Sequence, residues 1–102
     1  MNDAQVLQGR AGETTAAGSV TVLYFARLKE AFGSGQEQIA LTPSIRTVQA
    51  LLDHLQSRGG AWQRELGGSR PVRVAVNQEM ARGNTPLSAS DEVAFFPPVT
   101  GG

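Results

Sequence analysis

The chain of 102 residues contains no cysteine. Disulfide scaffolds, thiolate metal sites, iron–sulfur ligation and cysteine nucleophiles are excluded by that alone. Histidine is nearly as scarce: His54 is the single one, and a metal site would need further ligands that the sequence does not place beside it. His54 also lies off the apolar stripe of its helix and reads as a surface or boundary residue, so no metal is expected. Charge of one sign is missing too, with nine basic against nine acidic residues and a formal net charge of zero. One lysine, Lys29, and eight scattered arginines form no run, whereas a nucleic-acid surface normally carries clustered Lys and Arg, so no nucleic acid is expected as partner. No apolar stretch approaches the ~20 residues of a membrane span, and the N-terminus lacks the basic-then-apolar order of a secretion signal. No membrane partner and a cytoplasmic location are therefore the expectation.

The usual catalytic signatures are absent as well. The serines stand in no nucleophile-elbow context, and the pairs Gly59-Gly60 and Gly67-Gly68 lack the lysine and spacing of a phosphate loop. Asp91 and Glu92 precede a strand whose alternation would point them to opposite faces, which argues against a general acid–base pair. The chain is expected to hold no self-contained active site and no cofactor of its own.

What is present is patterned as one small domain. Residues 1–19 are rich in Gly, Ala, Thr and Gln with only Val6 and Leu7 as large apolar groups, a composition that buries too little surface to offset its ordering entropy, and they are read as a flexible leader. Residues 20–25 form a β-branched and aromatic strand, and residues 27–32 make a helical turn or two before Gly33-Ser34-Gly35. Residues 37–41 alternate and pair with the first strand. Thr47 is placed to cap a helix in which Val48, Leu51, Leu52 and Leu55 recur at i, i+3, i+4 and i+7, with Gly59 past its end. Trp62 and Leu66 indicate a further short helical piece. Strands are expected at 73–76 and 79–81, joined by a tight turn at Asn77-Gln78, and a last strand begins near Glu92. This order of strand, strand, helix and three strands is that of an α+β β-grasp fold: a mixed sheet of about five strands with one main helix on one face. The domain is assigned to residues 20–98 and a C-terminal tail to residues 99–102.

Strand parity divides the apolar residues. If Val93 and Phe95 face the helix with Val22, Tyr24, Val74 and Val76, then Phe96 falls on the other face with Leu23, Phe25 and Ala75. One helix cannot cover both faces, and an uncovered apolar patch on a small domain marks a partner surface. After Phe96, Pro97 and Pro98 fix φ and lack N–H donors, so the strand ends there and the tail leaves the sheet. The sequence finishes on Gly101-Gly102, which at ordinary glycine usage happens by chance about once in 200 chains. Five residues from Pro98 span at most ~17 Å, enough to thread a narrow channel in another protein.

Three stretches, 22–27 (Val-Leu-Tyr-Phe-Ala-Arg), 74–78 (Val-Ala-Val-Asn-Gln) and above all 91–102 (Asp-Glu-Val-Ala-Phe-Phe-Pro-Pro-Val-Thr-Gly-Gly), resemble the small, sulfur-carrying subunits of molybdopterin synthase within the ubiquitin-like β-grasp superfamily. The resemblance covers residues 20–102. It departs at residues 88–91, Ser-Ala-Ser-Asp, where the family often has an Asp-Gly-Asp turn. The resemblance implies that an ATP-dependent activating enzyme adenylates the Gly102 carboxylate, with Gly101 giving access. A sulfur donor protein then supplies sulfur to form a thiocarboxylate. The tail enters the large subunit of a heterotetrameric molybdopterin synthase, where cyclic pyranopterin monophosphate takes up the sulfur. It further implies partner contacts through Phe25, Met80, Phe96, Pro97, Pro98, Val99 and Thr100. A sulfur carrier for thiamin or amino-acid synthesis, a ubiquitin-like modifier, and a β-grasp interaction module with an inert tail remain as alternatives.

Overall fold

The computed structural model describes residues 18–68 and 70–98; the expected leader up to residue 17 and the tail from residue 99 lie outside the described residues. Strand β1 (Ser19–Tyr24) opens the domain, one residue ahead of the expected start at Val20. Its burial alternates strictly, with Val20, Val22 and Tyr24 fully enclosed and Ser19, Thr21 and Leu23 only half covered. That is the signature of a strand lying with one face on a core. Helix α1 (Arg27–Phe32) follows and ends at Gly33, whose φ of 73° lets its N–H return to the Lys29 carbonyl. Strand β2 (Gln36–Ala40) then runs antiparallel to β1.

Helix α2 (Val48–Gln56) is the main helix. Thr47 caps it as expected, accepting the Ala50 N–H on its hydroxyl at 3.1 Å. Val48, Leu51 and Leu55 are buried against the sheet. Leu52, read from its spacing as part of the same stripe, is partly buried: it packs against the core and lines an open cleft with Leu66, Val72 and Val74. Gly59 takes φ 74° between α2 and helix α3 (Gly60–Leu66). Trp62 of α3 stacks on Phe32 of α1 with centroids 3.8 Å apart, and both meet the Tyr24 ring edge-on at 5.4 and 5.1 Å. This aromatic cluster closes one end of the core.

The second half supplies β3 (Arg73–Val76), β4 (Glu79–Met80) and β5 (Glu92–Phe96). The sheet order is β2-β1-β5-β3-β4, so the last strand is central. It pairs parallel with β1, in the register Val22↔Val93 and Tyr24↔Phe95, and antiparallel with β3, in the register Val74↔Phe95 and Val76↔Val93. A parallel pair needs a crossover, and α2 with α3 provide part of it on one face. The expected parity therefore holds. The Asn77-Gln78 turn has φ 51° and 72°, a left-handed hairpin made without glycine. Ser90, in the loop where the family pattern has a glycine-bearing turn, also takes a left-handed φ of 73°.

Candidate functional site

The helices cover the sheet face that carries Val22, Tyr24, Val93 and Phe95, all nearly inaccessible. The opposite face carries Leu23, Phe25, Ala94 and Phe96, with Ala75 paired to Ala94 and Met80 paired to Ala75 in the same register. Phe25 is 48% exposed and Met80 60% exposed, the two large hydrophobic side chains left in solvent among the described residues. Leu23, Phe25, Ala94, Phe96 and Pro97 line a shallow cavity of about 610 Å³, with Gln78 and Glu92 along its polar margin. Phe25 is held at the end of β1 by its N–H, which donates to the Phe95 carbonyl at 3.2 Å. Ala26, next to it, is bent into φ 55°, ψ −129° before α1 begins. The structure thus brings Phe25, Phe96 and Pro97 together around one cavity, with Pro98 two residues past the end of β5 and Met80, exposed on β4 and in register with Ala75, outside that cavity. Val99, Thr100, Gly101 and Gly102, read as the reactive tail, lie outside the described residues.

Several ionisable groups are paired within the fold. Arg58 donates to both carboxylate oxygens of Glu37 at 2.9 Å, lies 4.5 Å over the Trp62 ring, and so links β2 to α3. The buried Tyr24 hydroxyl donates to the same carboxylate at 2.7 Å. Burial, and after it this bond to Glu37, push the Tyr24 phenol far above its ordinary range; the Arg58 hydrogen bonds hold the Glu37 carboxyl below the usual carboxylate range. Glu65, only 5% exposed, accepts from Arg27 Nε at 3.0 Å and has Arg64 and Arg70 within 3.5 and 3.7 Å. The Arg27 hydrogen bond is the main reason its carboxyl also sits low. Arg27 is committed inside the domain to Glu65 and the Pro71 carbonyl. No sequence signal pointed to the pairing of Tyr24 and Arg58 with Glu37 or of Arg27 with Glu65, which join positions 13, 21 and 38 residues apart along the chain. Among the described residues no group of His, Asp and Glu could hold a metal, and no helix is long and apolar enough to cross a membrane.

A mixed sheet clad by helices on one side, apolar and open on the other, with its central last strand followed by a diproline, defines a β-grasp protein. The ThiS family matches residues 22–102, and the chain belongs to that family. It is 39% identical to the molybdopterin synthase sulfur carrier subunit of Escherichia coli (strain K12) over 81% of this chain and 99% of that protein. In structure it is similar to SAMP1, a small archaeal modifier protein, from Haloferax volcanii. That match has a TM-score of 0.68 and 32% identity, covering 83% of this chain and 100% of the other. It is also similar to a chain in the complex of subunits 1 and 2 of the molybdopterin-converting factor from Helicobacter pylori. There the TM-score is 0.56 and the identity 27%, over 82% and 99% of the two chains.

Proposed function

We propose that this chain is the sulfur carrier of a molybdopterin synthase, docking on a large subunit through the open face and delivering sulfur from its C-terminal carboxylate. The observation that carries the reading is the position of Phe25, Phe96 and Pro97 around one uncovered apolar cavity, from which residues 98–102 continue. The strong similarity to a sulfur carrier subunit and the likeness to one chain of a two-subunit complex support it. An unactivated carboxylate is a poor electrophile, since its charge is delocalised and the departing group would be oxide. In the activating enzyme the Gly102 carboxylate attacks the α-phosphorus of ATP and pyrophosphate leaves. A hydrosulfide anion supplied by a donor protein then attacks the acyl carbon, the C–O bond to AMP breaks and AMP leaves, and loss of the S–H proton gives a thiocarboxylate. Two such carriers supply the two sulfurs of the dithiolene built on cyclic pyranopterin monophosphate. Gly101 and Gly102 place no Cβ near the reacting carbon. The acid–base groups belong to the partners, because the carboxylates and arginines described above are engaged in the fold.

The test is to delete Gly102, or to add one residue after it, and to measure thiocarboxylate formation with activating enzyme, ATP and a sulfur donor by intact mass, where exchange of oxygen for sulfur adds ~16 Da. Either change moves the acyl carbon by up to ~3.6 Å, and misplacement of ~1 Å already costs ~100-fold in a positioned reaction. Sulfur transfer is expected to vanish while the melting temperature holds; substantial product would refute the terminal mechanism and favour an inert tail. Likeness to an archaeal modifier protein favours one second reading, attachment of the same carboxylate to lysines. Protein isolated from its own cell would then appear as isopeptide conjugates.

A further inference from the structure

Four non-glycine residues among those described take a left-handed φ: Ala26, Asn77, Gln78 and Ser90. Such residues store strain and call for an explanation. Asn77 has one. Its amide donates to Asp91 Oδ1 at 2.9 Å and its carbonyl oxygen accepts the Glu92 N–H at 2.9 Å, so the left-handed turn is stapled to the start of β5, and asparagine tolerates this backbone. Ser90 sits in a loop whose N–H reaches the Ser19 carbonyl. Gln78 has neither excuse. It is exposed at φ 72°, the second position of a left-handed hairpin turn where glycine is strongly favoured, and its side-chain amide makes no hydrogen bond among the described residues. Yet that side chain lines the same apolar cavity as Phe25, Phe96 and Pro97, at the end opposite the strained Ala26.

We infer that Gln78 is a partner-reading residue: its carboxamide, held at the margin of the open face by the Asn77 staple, hydrogen-bonds a main-chain or polar side-chain group of the large subunit that borders the apolar contact. The inference rests on the docking face proposed above. A glycine at 78 would suit the backbone better and would leave that group of the partner desolvated without a partner, which is what makes the amide selective.

The experiment compares the wild-type chain with Gln78→Gly, Gln78→Asn and Phe96→Arg, titrated calorimetrically against the molybdopterin synthase large subunit from the same cell. Gln78→Gly removes the amide while easing the turn, and Gln78→Asn keeps a residue that accepts the backbone but retracts the amide by one methylene. Both are expected to bind about three- to tenfold more weakly, the range of one neutral hydrogen bond. Melting temperatures should be equal to wild type or higher, and the single-turnover transfer rate at saturating large subunit unchanged. Wild-type affinity for both Gln78 variants, with Phe96→Arg strongly impaired, overturns this inference and leaves the docking face standing. A marked fall in melting temperature for Gln78→Gly overturns it in favour of a structural role. Wild-type affinity for Phe96→Arg sinks the docking face and this inference with it.

Discussion

Phe96→Arg separates docking from folding, because Phe96 sits on the sheet face that the helices leave open. Its neighbours Val93 and Phe95 are buried to 0% and 1% exposure, whereas Phe96 itself is only half covered and borders the open cavity. The folded domain loses little apolar burial from the exchange. One cost can be read from the register: Arg73 lies directly opposite Phe96 on β3, so the new arginine faces a like charge, which disfavours the sheet by up to ~1 kcal/mol. For a domain of this size that lowers the melting temperature by no more than about 4–8 °C. In the complex the same guanidinium lands at the centre of the apolar contact without a counter-charge, and an uncompensated buried charge costs about 3–5 kcal/mol, or more than ~100-fold in affinity. Circular dichroism melting of the free domain and calorimetry against the large subunit measure the two effects separately. An affinity within threefold of wild type, with the fold intact, would remove the open face from the mechanism.

The remaining predictions concern the scaffold. Leu55→Ala, at a fully buried position, should lose about 2–5 kcal/mol in urea unfolding, whereas Leu52→Ala, only partly buried, should lose clearly less; equal losses would mean that α2 is rotated from the orientation described. Ser90→Gly relieves a left-handed φ and should raise stability by ~0.5–1 kcal/mol, seen as a melting temperature a few degrees higher; a decrease would show that Ser90 contributes a contact that outweighs its strain. Glu37 has its folded pKa depressed, first by the Arg58 hydrogen bonds, so its stabilisation is present above the unfolded carboxylate range near ~4.3 and is lost as pH falls through the lower folded value. Denaturation midpoints of wild type and Glu37→Gln should therefore converge below about pH 4; a constant gap across that range would refute the assignment.

Strand parity was legible because it depends only on a period of two. Once Val93 and Phe95 are taken as buried, Phe25 and Phe96 must emerge on the other side, and the register confirms it. The Thr47 cap and the α2 stripe were legible for the same local reason. Leu52 belongs to the stripe and packs against the core, but a helical period does not tell which member of the arc is left partly exposed. The Arg27–Glu65 pair was hidden because its two members lie 38 positions apart and meet only when α1 packs near α3. The Tyr24–Glu37–Arg58 network is hidden likewise, each link joining separate elements. The tight turn at Asn77-Gln78 was legible, but its left-handed backbone and that of Ser90 were not, since the residue that usually announces such a φ is glycine and none of these positions has one.

That division between legible and hidden follows from where the chemistry resides. A catalytic side chain needs neighbours that perturb it, and such neighbours are gathered by folding from distant positions. Here the distant pairings, Arg58 with Glu37 and Arg27 with Glu65, neutralise charges within the fold and leave the apolar face as the feature presented outward. The proposed reactive group is a backbone carboxylate beyond a diproline, so its reach depends on chain length and on the absence of side chains, both linear properties of the sequence. Docking specificity is different, because it depends on which polar groups the folded sheet brings to the margin of that face. Gln78 stands there through the hairpin that returns β4 onto β3, with Asn77 bonded to the start of β5. The proposed reaction can thus be read along the chain, whereas the proposed recognition of a partner depends on the register of the strands.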